Sequence, residues 1–174
     1  MSEQLILVDE NDTPIGTEEK LAAHQDGGKL HRAFSVFVFN DAWEIMLQRR
    51  AMGKYHCPGL WTNTCCSHPR PWETTLAAAT RRLQEEMGFV CDLEEKFTFL
   101  YRAEFDNGLT EHEFDHVFVG NYNNEPQLNP DEAMDYKRVT IDELLDMIER
   151  DPESITAWTR IIAQKYRDDL LWWA

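Results

Sequence analysis

Basic residues are scarce in this chain. Its 174 residues include 17 Lys and Arg against 32 Asp and Glu, which gives a formal net charge of −15. A nucleic-acid-binding protein needs a cationic face, and a polybasic membrane anchor needs a cluster of Lys and Arg. The composition therefore argues against nucleic acid and against a membrane as partners. An anionic ligand would need a local exception to the acidic average.

Long hydrophobic runs are missing as well, and cysteine is limited. The N-terminal segment holds one short apolar run, LILV at 5–8, without the basic start and apolar stretch of a signal peptide. We therefore expect a soluble, cytoplasmic protein. The cysteines are Cys57, Cys65, Cys66 and Cys91. They include an adjacent pair and no CxxC spacing, so a disulfide framework is not expected and a functional cysteine would act as a thiol.

Linkers, internal repeats and low-complexity tracts are also absent, so nothing in the sequence divides the chain. With 43% apolar residues, it can fill a sizeable core. We predict one domain over residues 1–174, with a core at about 30–150, an N-terminal cap and a C-terminal helix.

The hydrophobic pattern predicts an α/β or α+β fold, a mixed sheet between helices. Strands are expected at 5–9, 32–40, 44–50, 97–105, 111–122 and 136–139, with a short strand within 58–69. Helices are expected at 17–24 with Thr17 as N-cap, at 73–87 ended by Gly88, at 140–148 behind a capping box, and at 154–171. The run at 32–40 is apolar on both faces and therefore belongs in the middle of the sheet.

Finer patterns in the helix at 73–87 and in the strands after it predict which side chains share a face. In the helix at 73–87, one buried stripe is expected to contain Leu76, Ala79, Leu83 and Met87. Asn107-Gly108 favours a tight hairpin between the two following strands. The alternation along the second of these strands puts Glu111, Glu113 and Asp115 on one face.

Charged residues around the central helix have a defined spacing. Ser67, Glu73 and the run RRLQEEMGF at 81–89 resemble the Nudix box, a loop–helix–loop that grips a metal-bound diphosphate. Ser67 replaces the first glycine of the box, and Arg82 replaces a glutamate that helps bind the hydrolytic metals. Arg82 and Glu86 lie one helical turn apart, so an arginine would meet an anionic oxygen directly at this face. An ordinary surface ion pair is the alternative.

A wider resemblance covers about Lys20 to Trp158. KLAAH at 20–24, LH at 30–31, QRRAMGK at 48–54, PGLWTNTCCSHP at 58–69, YRAEF at 101–105 and EHEFDHVF at 111–118 resemble type I isopentenyl-diphosphate isomerases. The resemblance implies a Nudix-like fold and a 1,3-proton shift between isopentenyl and dimethylallyl diphosphate in isoprenoid biosynthesis. No bond to phosphorus breaks in that reaction, which agrees with the loss of the box glutamate.

By this resemblance, Cys66 and Glu113 are an acid/base pair on opposite faces of the allylic unit, and Tyr101 hydrogen-bonds the carboxyl group. Protonation of an alkene generates a tertiary carbocation, which the ring face of Trp158 would stabilise. Which member of the pair protonates the substrate stays open. Trp61 lies close to the thiol segment and is expected to wall the pocket.

The resemblance also implies two metal sites. The ligands of the first are His24, His31, His68, Glu111 and Glu113, which suit Mg²⁺, Mn²⁺ or Zn²⁺. At the second, Glu86 would bind a Mg²⁺ that bridges the phosphate oxygens. A zinc site from Cys57, Cys65, Cys66 and His68 is a weaker alternative, because the spacing fits no structural zinc pattern.

The diphosphate contacts implied by the resemblance are Lys20, Arg50, Lys54 and Arg82. Arg49 is expected on the other side of its strand. The remaining histidines, His56, His112 and His116, are interpreted as bystanders, and Cys57, Cys65 and Cys91 as packing residues.

Local charge supports an anion site. Residues 29–91 hold 8 Lys and Arg against 5 Asp and Glu, a net +3, whereas the rest of the chain holds 9 against 27. The expected partner is a small diphosphate, and the expected state is a monomer or weak homodimer. Two rival functions remain, a Nudix hydrolase of a nucleoside diphosphate derivative and a non-catalytic domain that binds diphosphate or metal.

Overall fold

A computed structural model describes residues 3–54 and 56–171. The strands are Gln4–Val8 (β1), Pro14–Glu19 (β2), His31–Phe39 (β3), Ile45–Arg50 (β4), Trp61–Thr62 (β5), Cys65–Ser67 (β6), Leu93–Glu104 (β7), Thr110–Asn121 (β8) and Ala133–Val139 (β9). The helices are Lys20–His24 (α1), Thr75–Met87 (α2), Ile141–Arg150 (α3), Ala157–Lys165 (α4) and Arg167–Leu171 (α5).

Strand β3 lies at the centre of a mixed sheet, as its two apolar faces predicted. It pairs in parallel with β8 along its whole length and antiparallel with β6 and β1. β7 forms a hairpin with β8, and β4 is flanked by β5 and β9. The predicted α/β or α+β class with a mixed sheet is confirmed.

Helices cover both faces of this sheet. Phe34, Val36 and Val38 of β3 pack in one cluster with α2, which contributes Ala79 and Leu83. Phe37 and Phe39 of β3 point to the opposite face and pack in a second cluster with α3, α4 and α5. Each fully buried side chain of this size contributes about 2 kcal/mol of hydrophobic free energy.

Strand register decides where polar side chains meet. His31 at the start of β3 lies beside Glu113 of β8, and Tyr101 of β7 lies opposite the same glutamate. Ser35 of β3 pairs with Cys66 of β6. All of these positions continue the face occupied further along by Phe37, so one end of the second apolar cluster becomes a polar pocket.

The predicted helix at 17–24 with Thr17 as N-cap is wrong in its first half. Residues Pro14–Glu19 form an edge strand against β1, and Glu19 caps a helix of only five residues by accepting a hydrogen bond from the Ala22 amide. Pro14 is tolerated because it is the first residue of an edge strand.

Two other helices also differ from expectation. Helix α2 begins at Thr75 behind the N-cap Thr74, and Leu76 is 46% exposed, so Ala78 takes its place in the buried stripe. The helix expected at 154–171 is two helices, because Tyr166 leaves the helical conformation and stacks on Phe97 at 4.7 Å between ring centroids. Gly88 does end α2, and Thr140 with Glu143 does form the capping box of α3.

None of the helices in the described ranges is long and apolar enough to cross a bilayer. The extent of the single domain over 1–174 stays a prediction, since residues 1, 2, 55 and 172–174 lie outside the described part.

Candidate active site

Three histidines and two glutamates converge at the polar end of the sheet. One donor atom from each of them lies within 4.8 Å of all the others, and all five residues are buried: His24, His31, His68, Glu111 and Glu113. They come from α1, β3, the residue after β6, and β8. This is the group that the sequence resemblance implied, and its ligand atoms include no cysteine.

The imidazoles are held by backbone carbonyls on the side away from this cluster. His24 donates Nδ1–H to the Lys20 carbonyl at 2.6 Å, and His31 donates Nδ1–H to the Lys29 carbonyl at 2.8 Å. Both Nε2 atoms therefore point inward. Nε2 of His31 is buried and has no hydrogen-bond partner among the described residues. A buried nitrogen lone pair aimed at two carboxylates fits a divalent metal ion, for which such carbonyl bonds fix the tautomer.

The carboxylates and imidazoles shift one another's pKa. Burial alone would raise the pKa of Glu111, but hydrogen bonds from His24 and His56 outweigh it and hold that pKa well below its usual range. Burial would lower the pKa of His24, but the bond to Glu111 raises it above the ordinary value. For His68, burial dominates and lowers the pKa to about 4, although its Nε2 lies 3.0 Å from Glu113 Oε1. Protons and a metal ion would therefore compete for the same donor atoms in this cluster.

Glu113 is also bound from outside the cluster. The Tyr101 hydroxyl donates to Glu113 Oε2 at 2.5 Å, and burial together with the glutamate charge raises the pKa of Tyr101 well above its usual value. Cys66 lines the same pocket, and burial raises the pKa of its thiol to about 12. Behind them, Asp115 accepts a hydrogen bond from Ser35 at 2.7 Å. Because both pKa values are raised, the thiol of Cys66 and the hydroxyl of Tyr101 keep their protons in this pocket at neutral pH.

The indole of Trp158 is fixed by a buried network of hydroxyls. Its Nε1 donates to Thr62 Oγ1 and Asn63 Oδ1, each at 3.1 Å, and Thr159 donates to the same Asn63 oxygen. With its polar edge held, the ring lines the pocket, and the Arg50 guanidinium lies over it at 5.7 Å.

The four predicted phosphate-binding residues also line the pocket: Lys20, Arg50, Lys54 and Arg82. Three of them, all except Arg50, also line the cleft outside it and so mark its mouth. In the structure Lys54 and Arg82 both pair with Glu132.

Glu86, the predicted ligand of a second metal, is placed differently from the other ligands. It is buried behind Arg82, which donates to it at 2.5 Å, and it accepts a hydrogen bond from Gln48 at 2.8 Å. It is not part of the five-residue cluster.

Sequence reasoning missed His56. It is not one of the five cluster residues, but its Nε2 lies 3.0 Å from Glu111 Oε1 and its ring lines the pocket, a contact that sequence reasoning did not predict. The signal was its place in the connection between β4 and β5, two residues after Lys54, which was expected in the pocket. His112 and His116 do bind outside the cluster, to the Gly28 carbonyl and to Asp12.

Trp61 does not wall the pocket. The Lys137 ammonium lies 4.3 Å and the Arg49 guanidinium 5.8 Å from the centroid of its ring. Arg49 therefore faces away from Arg50, as expected. Cys65 is fully buried, Cys57 and Cys91 pack against the two apolar clusters, and all four cysteines are free thiols.

Comparison with known proteins agrees with this geometry. A family model described as NUDIX domain matches residues 29–159. Among solved structures, a protein from Deinococcus radiodurans superposes with a TM-score of 0.71 at 21% identity, over 85% of this chain and 90% of that one. A MutT protein from Methanosarcina mazei gives a TM-score of 0.66 at 18% identity, over 79% and 93%. These matches define the class as a Nudix-fold protein.

Curated relatives narrow the class. An isopentenyl-diphosphate Delta-isomerase 2 of Aromatoleum aromaticum is 56% identical over 158 residues, 91% of this chain and 83% of the relative. Isopentenyl-diphosphate Delta-isomerase 1 of the same organism is 51% identical over 97% of both chains, and a Pectobacterium atrosepticum relative is 50% identical over 95% and 92%. The chain belongs to the isopentenyl-diphosphate Delta-isomerase family.

Proposed function

We infer that this protein interconverts isopentenyl diphosphate and dimethylallyl diphosphate. The observation that carries the inference is the convergence, in one pocket, of the Cys66 thiol, the Tyr101–Glu113 pair and the Trp158 ring, beside the histidine–glutamate cluster. A hydrolase of diphosphates needs none of the first three. An alkene isomerase needs a proton donor, a proton acceptor and a wall that tolerates a cation.

The cationic side chains lie at one end of the pocket, which suits a substrate with a diphosphate at one end and a hydrocarbon at the other. Lys20, Lys54 and Arg82 lie at the mouth, where the diphosphate would bind. Lys54 and Arg82 would exchange part of their contacts with Glu132 for phosphate oxygens. Arg50 lies deeper, with its NH1 4.0 Å from the Cys66 sulfur and its guanidinium 5.7 Å from the centroid of the Trp158 ring. The hydrocarbon end of the substrate would enter between Cys66, Glu113 and Trp158.

The proposed reaction moves one proton on and one proton off the carbon chain. A proton adds to the terminal methylene carbon, leaving a tertiary cation against the Trp158 ring, and another leaves the carbon next to the oxygen-bearing one. Cys66 and Glu113 exchange the roles of acid and base between the two directions, because the reverse reaction retraces the same path. Tyr101 holds Glu113 in place for both steps.

The residues that would hold a metal ion are the five of the cluster, and the donor set suits Mn²⁺, Mg²⁺ or Zn²⁺. A bound cation would supply positive charge that tunes the proton affinity of Glu113. We further propose that Glu86 binds a Mg²⁺ shared with the diphosphate, once Arg82 turns toward the phosphate.

We also propose a cytoplasmic location, since the mechanism requires Cys66 as a thiol and the four cysteines are unpaired. The partner is a small diphosphate, neither nucleic acid nor a membrane, bound by one domain that acts as a monomer or weak homodimer.

Deuterium incorporation tests this function against its rivals. The protein is incubated with isopentenyl diphosphate and Mg²⁺ in D₂O, and dimethylallyl diphosphate, deuterium in the substrate and released phosphate are followed separately. We expect deuterated product and no phosphate. Unchanged, unlabelled substrate would exclude the isomerase, and phosphate release would favour a Nudix hydrolase.

Two cysteine variants sharpen the test. Cys66→Ala should lose turnover by at least about a hundredfold, the contribution of a positioned proton donor, while keeping its far-UV circular dichroism. Cys91→Ala changes a half-buried thiol outside the pocket and should turn over like the parent protein. Near-normal activity of Cys66→Ala would remove the thiol from the mechanism.

A further inference from the structure

The two carboxylates of the cluster are held in the same way. Each carboxylate directs one oxygen toward a histidine of the five-residue cluster and the other toward a hydrogen-bond donor outside that cluster. For Glu113, Oε1 faces His68 at 3.0 Å and Oε2 accepts from Tyr101. For Glu111, Oε2 faces His24 at 3.0 Å, and Oε1 lies 3.0 Å from Nε2 of His56.

His56 reaches the cluster through Glu111. It is not one of the five residues whose donor atoms converge. Its ring stacks on Phe105 at 5.9 Å and meets the edge of Trp158 at 6.1 Å, so its orientation is set by packing. A rigid donor aimed at one carboxylate oxygen fixes the rotation of that carboxylate, which determines where the other oxygen points.

We infer that His56 is a positioning residue, which donates Nε2–H to Glu111 and thereby holds Glu111 Oε2 in the direction required for metal binding. This inference rests on the proposed function for its effect on turnover, whereas the effect on metal affinity does not depend on it.

The physical reason is the burial of Glu111, which is only 2% exposed. Without His56, Oε1 would be a buried acceptor with no donor in that direction, and the carboxylate would rotate to regain one. A rotated carboxylate presents a poorer ligand to the ion. Loss of an outer partner of a metal ligand generally weakens metal affinity or activity ten- to a hundredfold.

Three substitutions of His56 distinguish the effect of losing its N–H donor from the effect of losing its ring. His56→Gln places an amide N–H near the position of Nε2, and His56→Met has similar size and no donor. His56→Phe keeps a ring against Phe105 and Trp158 without a donor. His112→Phe is the matched control, since His112 lies on the other face of β8 and contacts the Gly28 carbonyl.

The readouts are the affinity of the metal-free protein for Mn²⁺, measured by electron paramagnetic resonance of the free ion, the melting temperature, and kcat and KM for isopentenyl diphosphate. We expect Met and Phe at position 56 to weaken Mn²⁺ binding about ten- to a hundredfold and Gln to restore it to within about threefold of the parent. kcat should follow the Mn²⁺ affinity, while KM stays nearly constant because three of the four predicted diphosphate contacts lie at the mouth.

Equal Mn²⁺ affinity of the Gln and Met variants would overturn the inference, whether or not the Phe variant folds. Unchanged affinity in a folded Phe variant would overturn it as well. If the Mn²⁺ affinity depends on the residue at position 56 as expected, but the parent protein turns over no isopentenyl diphosphate, the proposed function fails and the positioning role stands.

Discussion

Cys66 and Tyr101 are both kept protonated by their surroundings. Burial raises the pKa of the thiol to about 12, and the opposing positive charge of Arg50 does not cancel that effect. Burial and the charge of Glu113 raise the pKa of Tyr101 well above its ordinary value. The Tyr101 hydroxyl already donates to Glu113 and so orients that carboxylate, whereas the proposed role of the Cys66 thiol is to exchange a proton with substrate.

Tyr101→Phe tests this orienting role. The change keeps the ring and removes the hydroxyl that donates to Glu113 Oε2. A hydrogen bond to a charged group contributes about 1.5 to 3 kcal/mol, so we expect kcat to fall about ten- to a hundredfold with KM nearly constant. Steady-state kinetics in both directions measure it.

The control is Tyr166→Phe, which alters a tyrosine stacked on Phe97 and Phe99 outside the pocket. Unchanged kcat in Tyr101→Phe, or an equal loss in both variants, would contradict the assigned role of Tyr101.

At the residue scale, sequence reasoning was sufficient wherever chemistry and strand periodicity coincide. Glu111 and Glu113 share a face because alternate residues of any strand do, and the register of β8 against β3 adds His31. His56 could not be predicted in this way, because the path of its loop depends on contacts with Phe105 and Trp158, which are distant in sequence.

Among the elements, α2 shows how a helix end is specified. Gly88 adopts a left-handed φ of 74°, and its amide donates to the Gln84 carbonyl at 3.1 Å. A Cβ added at this position would lie 2.3 Å from the carbonyl oxygen of Gln127. Glycine is therefore required both by its φ and by the close approach of another backbone segment.

Gly88→Ala should accordingly destabilise the protein by about 2 to 5 kcal/mol, the sum of left-handed strain and a backbone clash. Gly108→Ala is the matched control: its φ is 80°, and a Cβ there would meet nothing within 4 Å. That variant should lose only about 1 kcal/mol. Urea unfolding measures both, and equal losses would show that the clash with Gln127 is relieved at no cost.

Elements fixed by tertiary pairing were the ones that the sequence predicted poorly. The segment Pro14–Glu19 has no apolar alternation, and it becomes a strand because β1 supplies its hydrogen bonds. The break between α4 and α5 likewise follows from Tyr166 stacking on β7, which places Leu170 in the core. By contrast, β3, β8 and α3 carry strong local signals and were predicted within two residues at each end.

At the scale of the whole molecule, charge is distributed unevenly. The chain carries −15, yet the mouth of the pocket is lined by Lys20, Lys54 and Arg82. The acidic surplus outside 29–91 favours solubility, while the proposed diphosphate substrate would meet a local cationic field. The sequence predicted this division because Lys54 and Arg82 both lie in the basic segment 29–91, although Lys20 lies outside it.

Buried titratable groups make the global stability depend on pH. The pKa of His68 falls to about 4 in the folded protein because it is buried, with Glu113, His24, His31 and Lys20 around it. Its ordinary value is 6.5. Between these values the unfolded chain binds a proton that the folded protein does not, so the contribution of His68 to stability is complete above about pH 6.5 and is lost as the pH falls.

The metal-free protein should therefore lose stability relative to a His68→Gln variant by about 1.4 kcal/mol per pH unit between about pH 6.5 and 4. The variant keeps an amide donor for Glu113 and removes the titration. The raised pKa of His24 stabilises the fold at low pH in both proteins, so this opposite contribution cancels when their stabilities are compared. Urea unfolding at several pH values, with chelator present, measures the difference. Parallel pH profiles would mean that His68 takes up its proton in the folded state as readily as in the unfolded chain.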